Sequence, residues 1–497
     1  MNVFDIETYK DNTKVIPYCL IMIFNKKKYI FYYNEEKNII IDFLEKIIEL
    51  SDNSKKNVIF CHNINFDGLI IAEILLKSGI HFNWFIKKMN IYWIRILYMN
   101  ILIELRCSYK IIPISIEKLG ELIGNEKKTF PYLFVNKKTL NYIGNVPNRE
   151  YFDSESDFLS FKNIKIFDMK KITIEYCLKD VEILEQVLNN IVSIISEYGK
   201  YLRNSYTFSS LSYKIYKKKY DYHKIIDIKL SKEEYNYISN SYFGGRTEVF
   251  GNPTNNKIIH YFDFSGMYGQ CMMELFPIGR GKFDYTNKDY SRIGFHTVKV
   301  KSNIQFPLLP VHSNNKLIFP NGEFIGTFWY EEIDLFIKNK GLVIECYSSY
   351  LYENSDFIFQ KFVEEFKFIR NKGIYYKIFG KSITNGLYGT FALKEDDYIT
   401  ILTTSEEEFE SIKKFTNVKK WIKFDKYIVV EVIRDYLSKK YYDKDNMEES
   451  RNLAYSSIIA SKARIKLNKE IINLIKNGWD IYYYDTDSIF AGHDQNW

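Results

Sequence analysis

The chain has 497 residues, of which 46% are hydrophobic and 17% aromatic, and this composition excludes a disordered chain. Nine prolines and 23 glycines exclude a collagen-like or linker-dominated architecture. A formal charge of +7 permits a polyanionic partner without requiring one. The length suggests about three domains.

Cysteine spacing and the N-terminal sequence exclude several further classes. The six cysteines form no C-x-x-C pair, so neither a zinc site nor a secreted disulfide framework is expected. Asp5 and Glu7 stand where a signal peptide would carry a basic and then an apolar stretch. The best apolar run, residues 15–24, contains Pro17 and is too short to span a bilayer. We therefore expect a protein that is not secreted and has no membrane partner, located in a mitochondrion or in the cytoplasm.

Strands and helices alternate along the first 200 residues, which predicts an α/β domain. The predicted strands are 3–7, 18–24, 28–33 and 58–61. The predicted helices are 39–50, 66–77 and 173–198. The stretch 130–170 is polar and irregular, and the main domain boundary is expected near 200–240.

A second region, from about residue 240, mixes strands and helices without strict alternation, an α+β pattern. The predicted strands are 257–263 and 480–484, and a β-rich patch covers about 395–440. The predicted helices are 357–370, 374–388 and 451–477, with a break at Gly373.

Two acidic residues on the first predicted strand indicate a metal site. Asp5 and Glu7 are two apart and therefore share one face of the strand. Two carboxylates held side by side repel each other unless a cation lies between them, and a divalent metal is the economical cation.

Two later patterns place polar groups on helices. An N-x-x-F-D pattern stands near the start of helix 66–77. A Y-x-x-x-D pattern lies within helix 173–198, where its tyrosine and its aspartate are one helical turn apart. Each pattern alone is a weak signal, and an isolated phenylalanine is more often a core residue. Three patterns in this order are specific. Their residues are Asn63, Phe66, Asp67, Tyr176 and Asp180.

A second set of carboxylates lies in the C-terminal half. Asp263 ends an apolar strand, and Tyr268 follows at a helix start. Asp485 and Asp487 flank one residue between two apolar strands. An isolated D-T-D would be a β-turn, but the apolar flanks place two charges at the edge of a buried sheet, which favours a metal.

One helical face between these carboxylates carries a lysine, an amide and an aromatic residue. Lys381, Asn385 and Tyr388 are spaced at i, i+4 and i+7. Such a face suits a triphosphate, a base and a sugar. The alternative is a solvated helix face anchored by the tyrosine.

The first three motifs resemble the exonuclease motifs of DEDD-type 3′→5′ proofreading nucleases. The resemblance implies an RNase H-like domain in which four carboxylates hold two Mg²⁺ that clamp the scissile phosphate and activate water. Its ligands would be Asp5, Glu7, Asp67 and Asp180, with Tyr176 orienting the water. Single-strand DNA contacts are implied for Asn63 and Phe66, and for Ser115 and Leu119, because 115–119 is similar to the family's [ST]-L-x-x-h segment.

The segments D-F-S-G-M-Y, K-S-I-T-N-G-L-Y-G and Y-D-T-D resemble motifs A, B and C of family B DNA polymerases. The resemblance implies in-line attack of a primer 3′-hydroxyl on a dNTP α-phosphate. Asp263 and Asp487 would hold two Mg²⁺, with Asp485 adjacent and Mn²⁺ as the alternative ion. Tyr268 would exclude a ribose 2′-hydroxyl. The implied nucleotide contacts are Tyr268, Lys381, Asn385, Tyr388 and Arg370.

The segment 241–246 resembles the YxGG segment that links nuclease and polymerase domains, which implies DNA contacts from Tyr242, Gly244 and Gly245. The long spacings between the polymerase motifs leave room for the insertions of the protein-primed branch, found in small phages, adenoviruses and linear plasmids. There the hydroxyl of a terminal protein starts synthesis. The implied partners are primer–template DNA, single-stranded DNA, dNTPs and a terminal protein.

The predicted organisation is multidomain, with an α/β part and an α+β part. An exonuclease domain is expected at 1–205, a linker region at 206–256, and a palm and fingers at 257–497 with insertions at about 280–350 and 392–445. The chain ends ten residues after Asp487, so we expect that the thumb is missing, and hence a weak grip on the primer.

Three functions are open at this level. The first is a protein-primed DNA polymerase with proofreading. The second is a metal-dependent 3′→5′ single-strand exonuclease whose polymerase half is idle. The third is a non-catalytic nucleic-acid-binding remnant, which the presence of every expected carboxylate disfavours.

Overall fold

The computed structural model describes residues 1–12, 14–51, 56–87, 89–125, 128–194, 201, 204–251, 258–314, 316–393, 398–403, 405–415, 418–423, 428–433 and 452–493. The chain forms two compact units. The first is Met1–Phe208 with Asp396–Asn446, and the second is Ser209–Glu395 with Met447–Trp497. None of the helices in the described ranges combines the length and the apolar character that a bilayer crossing requires.

The strands, in chain order, are β1 (Asn2–Asp11), β2 (Lys14–Phe24), β3 (Lys27–Tyr32), β4 (Asn57–Cys61), β5 (Phe82–Lys87), β6 (Asn90–Tyr98), β7 (Ile101–Cys107), β8 (Ile143–Gly144), β9 (Phe167–Asp168), β10 (Thr247–Val249), β11 (Ile259–Asp263), β12 (Phe276–Ile278), β13 (Lys282–Asp284), β14 (Gly294–Ser302), β15 (Val311–Ser313), β16 (Lys316–Ile318), β17 (Gly322–Trp329), β18 (Leu342–Leu351), β19 (Asn354–Asp356), β20 (Tyr398–Thr403), β21 (Val418–Lys423), β22 (Ile428–Ile433), β23 (Asp480–Asp485) and β24 (Ser488–Gly492).

The α-helices, in chain order, are α1 (Ile39–Leu50), α2 (Ile64–Lys77), α3 (Ile116–Leu122), α4 (Glu155–Ser160), α5 (Met169–Ile194), α6 (Phe208–Lys219), α7 (Lys232–Ser239), α8 (Met267–Cys271), α9 (Tyr330–Lys338), α10 (Gln360–Arg370), α11 (Ile374–Phe391), α12 (Glu406–Phe415) and α13 (Leu453–Lys476).

The first unit is built on a mixed sheet whose described strands run in the order β3-β2-β1-β4-β7-β6-β5. β1 is antiparallel to β2 and parallel to β4, which is parallel to β7. Because side chains alternate along a strand, Phe4 and Ile6 enter the core with α1 and α2, while Asp5 and Glu7 lie on the opposite face. Helix α5 contacts β1 and β2.

A smaller sheet with the strand order β20-β22-β21 also belongs to the first unit. Its core is formed by Phe409 of α12 with Val430 and Val432. Contacts between β20 and β5 join it to this unit. The placement differs from the predicted limits, in which 392–445 is an insertion of the polymerase domain, and α12 interrupts a patch that was predicted to be β-rich.

The second unit is centred on an antiparallel sheet, β10-β23-β24-β11, and on the long helix α13. α13 is buried along most of its length and contacts α7, α8, α9, α11 and β23. A second antiparallel sheet has the order β13-β18-β14-β17. Helix α13 therefore links the segments that carry the predicted polymerase motifs.

Several predicted elements are confirmed. The helix at 39–50 has the predicted ends, and the side-chain oxygen of Asn38 caps it by accepting the N–H of Ile40 at 3.0 Å. The helices predicted at 66–77, 357–370 and 374–388 are observed as α2, α10 and α11, and Gly373 separates the last two.

Some predicted ranges lie partly outside the described residues. These are the end of helix 173–198, the start of strand 257–263, the first residue of helix 451–477, residues 252–256 of the linker region, and parts of the segment 392–445 and of the patch 395–440.

Candidate active sites

The N-terminal acidic pair faces helix α5. The thiol of Cys177 on α5 lies 3.8 Å from the backbone oxygen of Asp5. One potential ligand atom each from Asp5, Glu7 and Cys177 lies within 4.8 Å of the others. No cysteine was predicted at this site, because no C-x-x-C or other metal spacing marks Cys177.

Asp67 lies in the first turn of α2 and is buried. Burial raises the pKa of its carboxyl to about 6, although the thiol of Cys61 donates to Oδ2 at 3.0 Å and partly offsets this. Cys61 is the last residue of β4, which pairs with β1. The start of α2 therefore lies near the strand that carries Asp5 and Glu7. A buried carboxylate with a raised pKa is a group that a cation would stabilise.

Two residues predicted to bind single-stranded DNA, Asn63 and Phe66, precede Asp67 in the sequence. Asn63 has a left-handed backbone, with φ 63°, and precedes α2. Phe66 is 48% exposed. Phe66 is therefore not a core residue, which is what an isolated phenylalanine most often is. Its ring is accessible for stacking.

Tyr176 and Asp180 lie one turn apart on α5, and both are buried. The Tyr176 hydroxyl hydrogen-bonds to that of Tyr132, and its ring lies 4.7 Å from the ring of Phe130. Burial and the nearby carboxylates of Asp180 and Glu7 raise the Tyr176 pKa. The hydroxyl therefore stays protonated at neutral pH.

The predicted single-strand contact at 115–119 is only partly compatible with the structure. Ser115 is exposed and caps α3, its hydroxyl accepting the Lys118 N–H at 3.3 Å. Leu119 is 2% exposed. Its side chain packs inside the unit because position 119 lies on the inner face of α3, so a direct DNA contact by Leu119 is a prediction that the structure contradicts.

In the second unit, the D-T-D segment forms the hairpin turn between β23 and β24. Thr486 takes a left-handed backbone with φ 54°, and the Asp487 N–H donates to the Asp485 carbonyl at 2.5 Å. Asp263, at the end of β11, pairs with Ser488 of β24. The Phe264 N–H donates to the Asp487 carbonyl at 2.7 Å, which ties the two predicted motifs together at one end of the sheet.

The carboxylates at this end interact electrostatically. Burial and the nearby Asp263 carboxylate raise the pKa of Asp487, Asp485 adds to this, and the Lys381 ammonium partly opposes it. The structure thus brings Asp263, Asp487 and Lys381 into one electrostatic environment, although Lys381 is more than a hundred positions from either aspartate in the sequence.

Three tyrosines from three segments form an aromatic cluster in this unit. The rings of Tyr268 and Tyr388 are stacked. Burial, together with the neighbouring hydroxyls of Tyr268 and Tyr242, raises the pKa of Tyr388. Arg370 lies near α8, since its Nη1 is 3.3 Å from where a Cβ on Gly266 would stand. Asn385 is half-buried on the same helix as Tyr388.

The residues after Tyr242 contact the hairpin turn one after another. A Cβ on Gly245 would lie 2.4 Å from Thr486 Oγ1. The Arg246 carbonyl accepts the Thr486 N–H at 2.8 Å. The Thr247 hydroxyl donates to Asp485 Oδ1 at 2.6 Å. Gly245 is therefore needed for close approach, whereas Gly244 faces open space.

A buried ion pair also holds the backbone at residues 243 and 244. Arg464 of α13 donates through Nε and Nη2 to both Glu332 oxygens, at 2.8 and 2.9 Å. Its Nη1 donates to the carbonyls of Phe243 and Gly244, at 2.6 and 3.1 Å. Neither Arg464 nor Glu332 was predicted, because their sequence separation hides the pairing.

Both carboxylate sets fit divalent cations of the Mg²⁺ class. Such ions prefer oxygen ligands, and Asp263 and Asp487 supply carboxylate oxygens at one end of the same sheet. In the first unit Asp5 and Glu7 supply the same donor type, with one thiol beside them.

Comparison with solved structures assigns the fold. The chain superposes on Phi29 DNA polymerase, in a structure described as complexed with primer–template DNA and incoming nucleotide substrates, with a TM-score of 0.67. The match covers 100% of this chain and 80% of that one, at 16% sequence identity. The fold is thus that of a multidomain family B polymerase, as predicted.

Sequence comparison assigns the family. The model for DNA polymerase type B, organellar and viral, matches residues 48–477, and the chain belongs to this family. It is 28% identical over 418 residues to a probable DNA polymerase of Podospora anserina, covering 78% of this chain and 35% of that one. It is 28% identical over 490 residues to a probable DNA polymerase of Neurospora intermedia, covering 87% and 47%.

The chain therefore spans about a third to a half of the length of these two curated relatives. The prediction of a family B DNA polymerase is confirmed at the level of the family.

Proposed function

We propose that the protein is a DNA-directed DNA polymerase of a protein-primed replicon, which adds dNTPs to a primer 3′-hydroxyl. One observation carries the proposal. Asp263 and Asp487 interact at the end of one sheet, with the Lys381 ammonium close enough to act on the same carboxylate. Family membership and the polymerase fold support it.

Each residue of this site has a role in the proposed reaction. Two Mg²⁺ ions, when bound, would stabilise the attacking and leaving oxygens of an in-line displacement. Asp263 and Asp487 would be the carboxylates that hold them. Asp485 already accepts a hydrogen bond from Thr247 and would support the turn from the side. Lys381 would neutralise triphosphate charge.

The tyrosine cluster would form the sugar and base side of the nucleotide pocket. Tyr268 would lie under the sugar, and Tyr388 would hold the Tyr268 ring in place through their stacking. Asn385 and Arg370 would line the base and triphosphate ends. Tyr242, Gly244 and Gly245 would meet the DNA backbone beside the turn.

We also propose a 3′→5′ exonuclease in the first unit, which would be an RNase H-like domain. Asp5, Glu7, Asp67 and Asp180 would hold its metal ions. Tyr176, protonated and anchored by Tyr132, would orient the attacking water. Asn63, Phe66 and the Ser115 hydroxyl would contact the single strand. The same geometry supports the alternative function, in which only this unit is active.

The proposed partners follow from the family. They are primer–template DNA, single-stranded DNA, dNTPs and a terminal protein that provides the first hydroxyl. The Phi29 neighbours are described as complexed with primer–template and single-stranded DNA. This supports, by fold, the first two partners.

Nucleotide incorporation on a primed template tests the polymerase proposal. The wild-type protein should incorporate dNTPs with Mg²⁺, and Asp263→Asn should reduce the rate by at least about 10³-fold, since it removes a charged ligand of the reacting centre. Asp480→Asn is the matched control, because Asp480 is exposed at the far end of β23. Equal rates for wild type and Asp263→Asn would reject the assignment of Asp263.

A further inference from the structure

The Arg246 side chain is fully buried although it carries a charge. Its Nη2 donates to Glu248 Oε2 at 3.0 Å. Its Nη1 donates to the Pro307 carbonyl at 2.7 Å and to Asn468 Oδ1 at 3.1 Å. The guanidinium therefore joins β10, the loop before β15 and helix α13.

Aromatic rings enclose the same guanidinium. Its Cζ lies 3.8 Å from the ring centre of Phe319, 4.0 Å from that of Phe306 and 5.1 Å from that of Tyr484. The Tyr484 hydroxyl donates to Glu248 Oε2 at 2.6 Å, so ring and carboxylate are also tied to each other. We call Phe306, Phe319 and Tyr484 the aromatic cage.

The buried guanidinium of Arg246 has a single favourable position. A buried guanidinium is costly unless its donors are paired, and here the partners come from elements far apart in sequence. Moving the Arg246 backbone would pull the charge from Glu248 and from the aromatic cage together. The side chain thus fixes the backbone of residue 246 much more firmly than an exposed arginine would.

The backbone of this same residue holds the hairpin turn. The Arg246 carbonyl accepts the Thr486 N–H, and Gly245 and Thr247 contact Thr486 and Asp485 on either side. Tyr484, which completes the aromatic cage, stands directly before Asp485. The buried charge and the carboxylate turn are therefore linked twice, through the chain at 246 and through the chain at 484.

We propose that Arg246 is a positioning residue for the turn 485–487. Its guanidinium, enclosed by the aromatic cage and paired with Glu248, holds the carbonyl that fixes Thr486 and so sets Asp487 beside Asp263. The effect on nucleotide addition rests on the proposed function, whereas the effect on the turn does not.

Amide hydrogen exchange followed by mass spectrometry tests the effect on the turn directly, without metal or substrate. In Arg246→Met, a peptide spanning residues 483–489 should exchange at least about tenfold faster at the Thr486 amide, since its acceptor is no longer fixed. Arg246→Lys keeps a charge but loses the fork geometry, and should show an intermediate rate.

Arg280→Met is the matched control for the chemical change. Arg280 lies in the same unit and pairs with Glu234, away from the turn, so its loss should leave the 483–489 peptide as in wild type. If Arg246→Met does not fold, Glu248→Gln and Tyr484→Phe take its place. Glu248→Gln removes the charge that pairs with the guanidinium, and Tyr484→Phe removes the hydroxyl that donates to Glu248. Wild-type exchange at the turn in the folded Arg246 or Glu248 variants would overturn the proposal.

The Mg²⁺ dependence of nucleotide incorporation adds the functional measurement. The Mg²⁺ concentration for half-maximal rate should rise severalfold in Arg246→Lys and stay constant in Arg280→Met. A wild-type protein that incorporates no nucleotide would reject the proposed function and leave the exchange result to decide the role of Arg246. A wild-type Mg²⁺ dependence in an active Arg246→Lys would overturn the inference.

Discussion

The rings of Tyr268 and Tyr388 stack with their centroids 4.3 Å apart and their planes 17° from parallel. The two residues come from α8 and α11, so the stack fixes the distance between two of the predicted polymerase motifs. Offset stacking of this kind contributes about 1 kcal/mol beyond the burial of the rings.

We expect Tyr268 to set sugar selectivity. Tyr268→Val removes the ring from beneath the sugar and should raise the ratio of ribonucleotide to deoxynucleotide incorporation by about 10- to 100-fold. Tyr268→Phe keeps the stack and should keep the selectivity. The ratio is measured from single-nucleotide insertion rates. Equal selectivity in all three proteins would contradict the placement of Tyr268 in the nucleotide pocket.

The close approach of Gly245 to Thr486 predicts a compensating pair of substitutions. In Gly245→Ala the new methyl group would lie 2.4 Å from Oγ1 and 3.0 Å from Cβ of Thr486, so side-chain rotation alone cannot relieve the contact. The turn must shift, and incorporation should fall by about tenfold or more. Adding Thr486→Ala removes Oγ1 and Cγ2 and should restore part of the rate. No recovery in the double variant would contradict this account.

Repulsion among the carboxylates predicts a gain of stability on neutralisation. Burial and Asp263 raise the pKa of Asp487, so the ionised carboxylate is less stable in the folded protein than in the unfolded chain. In the absence of divalent ions, Asp487→Asn should therefore raise the melting temperature by about 2 °C. With Mg²⁺ present, the same substitution should abolish nucleotide incorporation. Asp480→Asn serves again as the control. A lower melting temperature for Asp487→Asn would contradict the electrostatic argument.

The lowered pKa of Glu234 makes the stability of the second unit depend on pH in the acid range. Burial alone would raise its pKa, but hydrogen bonds from Arg280, the Ser231 backbone and Tyr350 outweigh this and lower the pKa to about 2. The folded form thus binds its proton more weakly than the unfolded form. Stability from this group is present above pH 4.5 and is lost as the pH falls towards 2.

The measurement is the unfolding free energy against pH. Between pH 5 and pH 2, the free energy of unfolding should fall less in Glu234→Gln than in the wild type, by up to about 2 kcal/mol. Glu233→Gln, at the exposed neighbouring position, should retain the wild-type pH dependence. Identical pH profiles for wild type and Glu234→Gln would contradict the role assigned to this carboxylate.

Local patterns placed neighbouring residues of the candidate sites together more readily than they revealed the groups that support them. Strand periodicity pairs Asp5 with Glu7, and helix periodicity pairs Tyr176 with Asp180. The turn between two apolar strands pairs Asp485 with Asp487. Helix Ile39–Leu50 was equally clear, because its apolar spacing and its Asn38 cap are both local signals.

Long-range pairing was not accessible in the same way. Arg246 meets Asn468, and Arg464 meets Glu332, and no local pattern links residues so far apart. Leu119 was misassigned because a motif match does not reveal which helix face is buried. Helix α12 was missed because it is short and lies between two strands.

A single gel assay with two complementary variants tests the central claim that the two units carry different chemistries. A labelled primer–template is incubated with Mg²⁺, with and without dNTPs. Wild type should extend the primer with dNTPs and shorten it without them. Asp487→Ala should shorten but never extend, and Asp67→Ala should extend but not shorten. Shortening without extension in the wild type, or extension that persists in Asp487→Ala, would contradict the account.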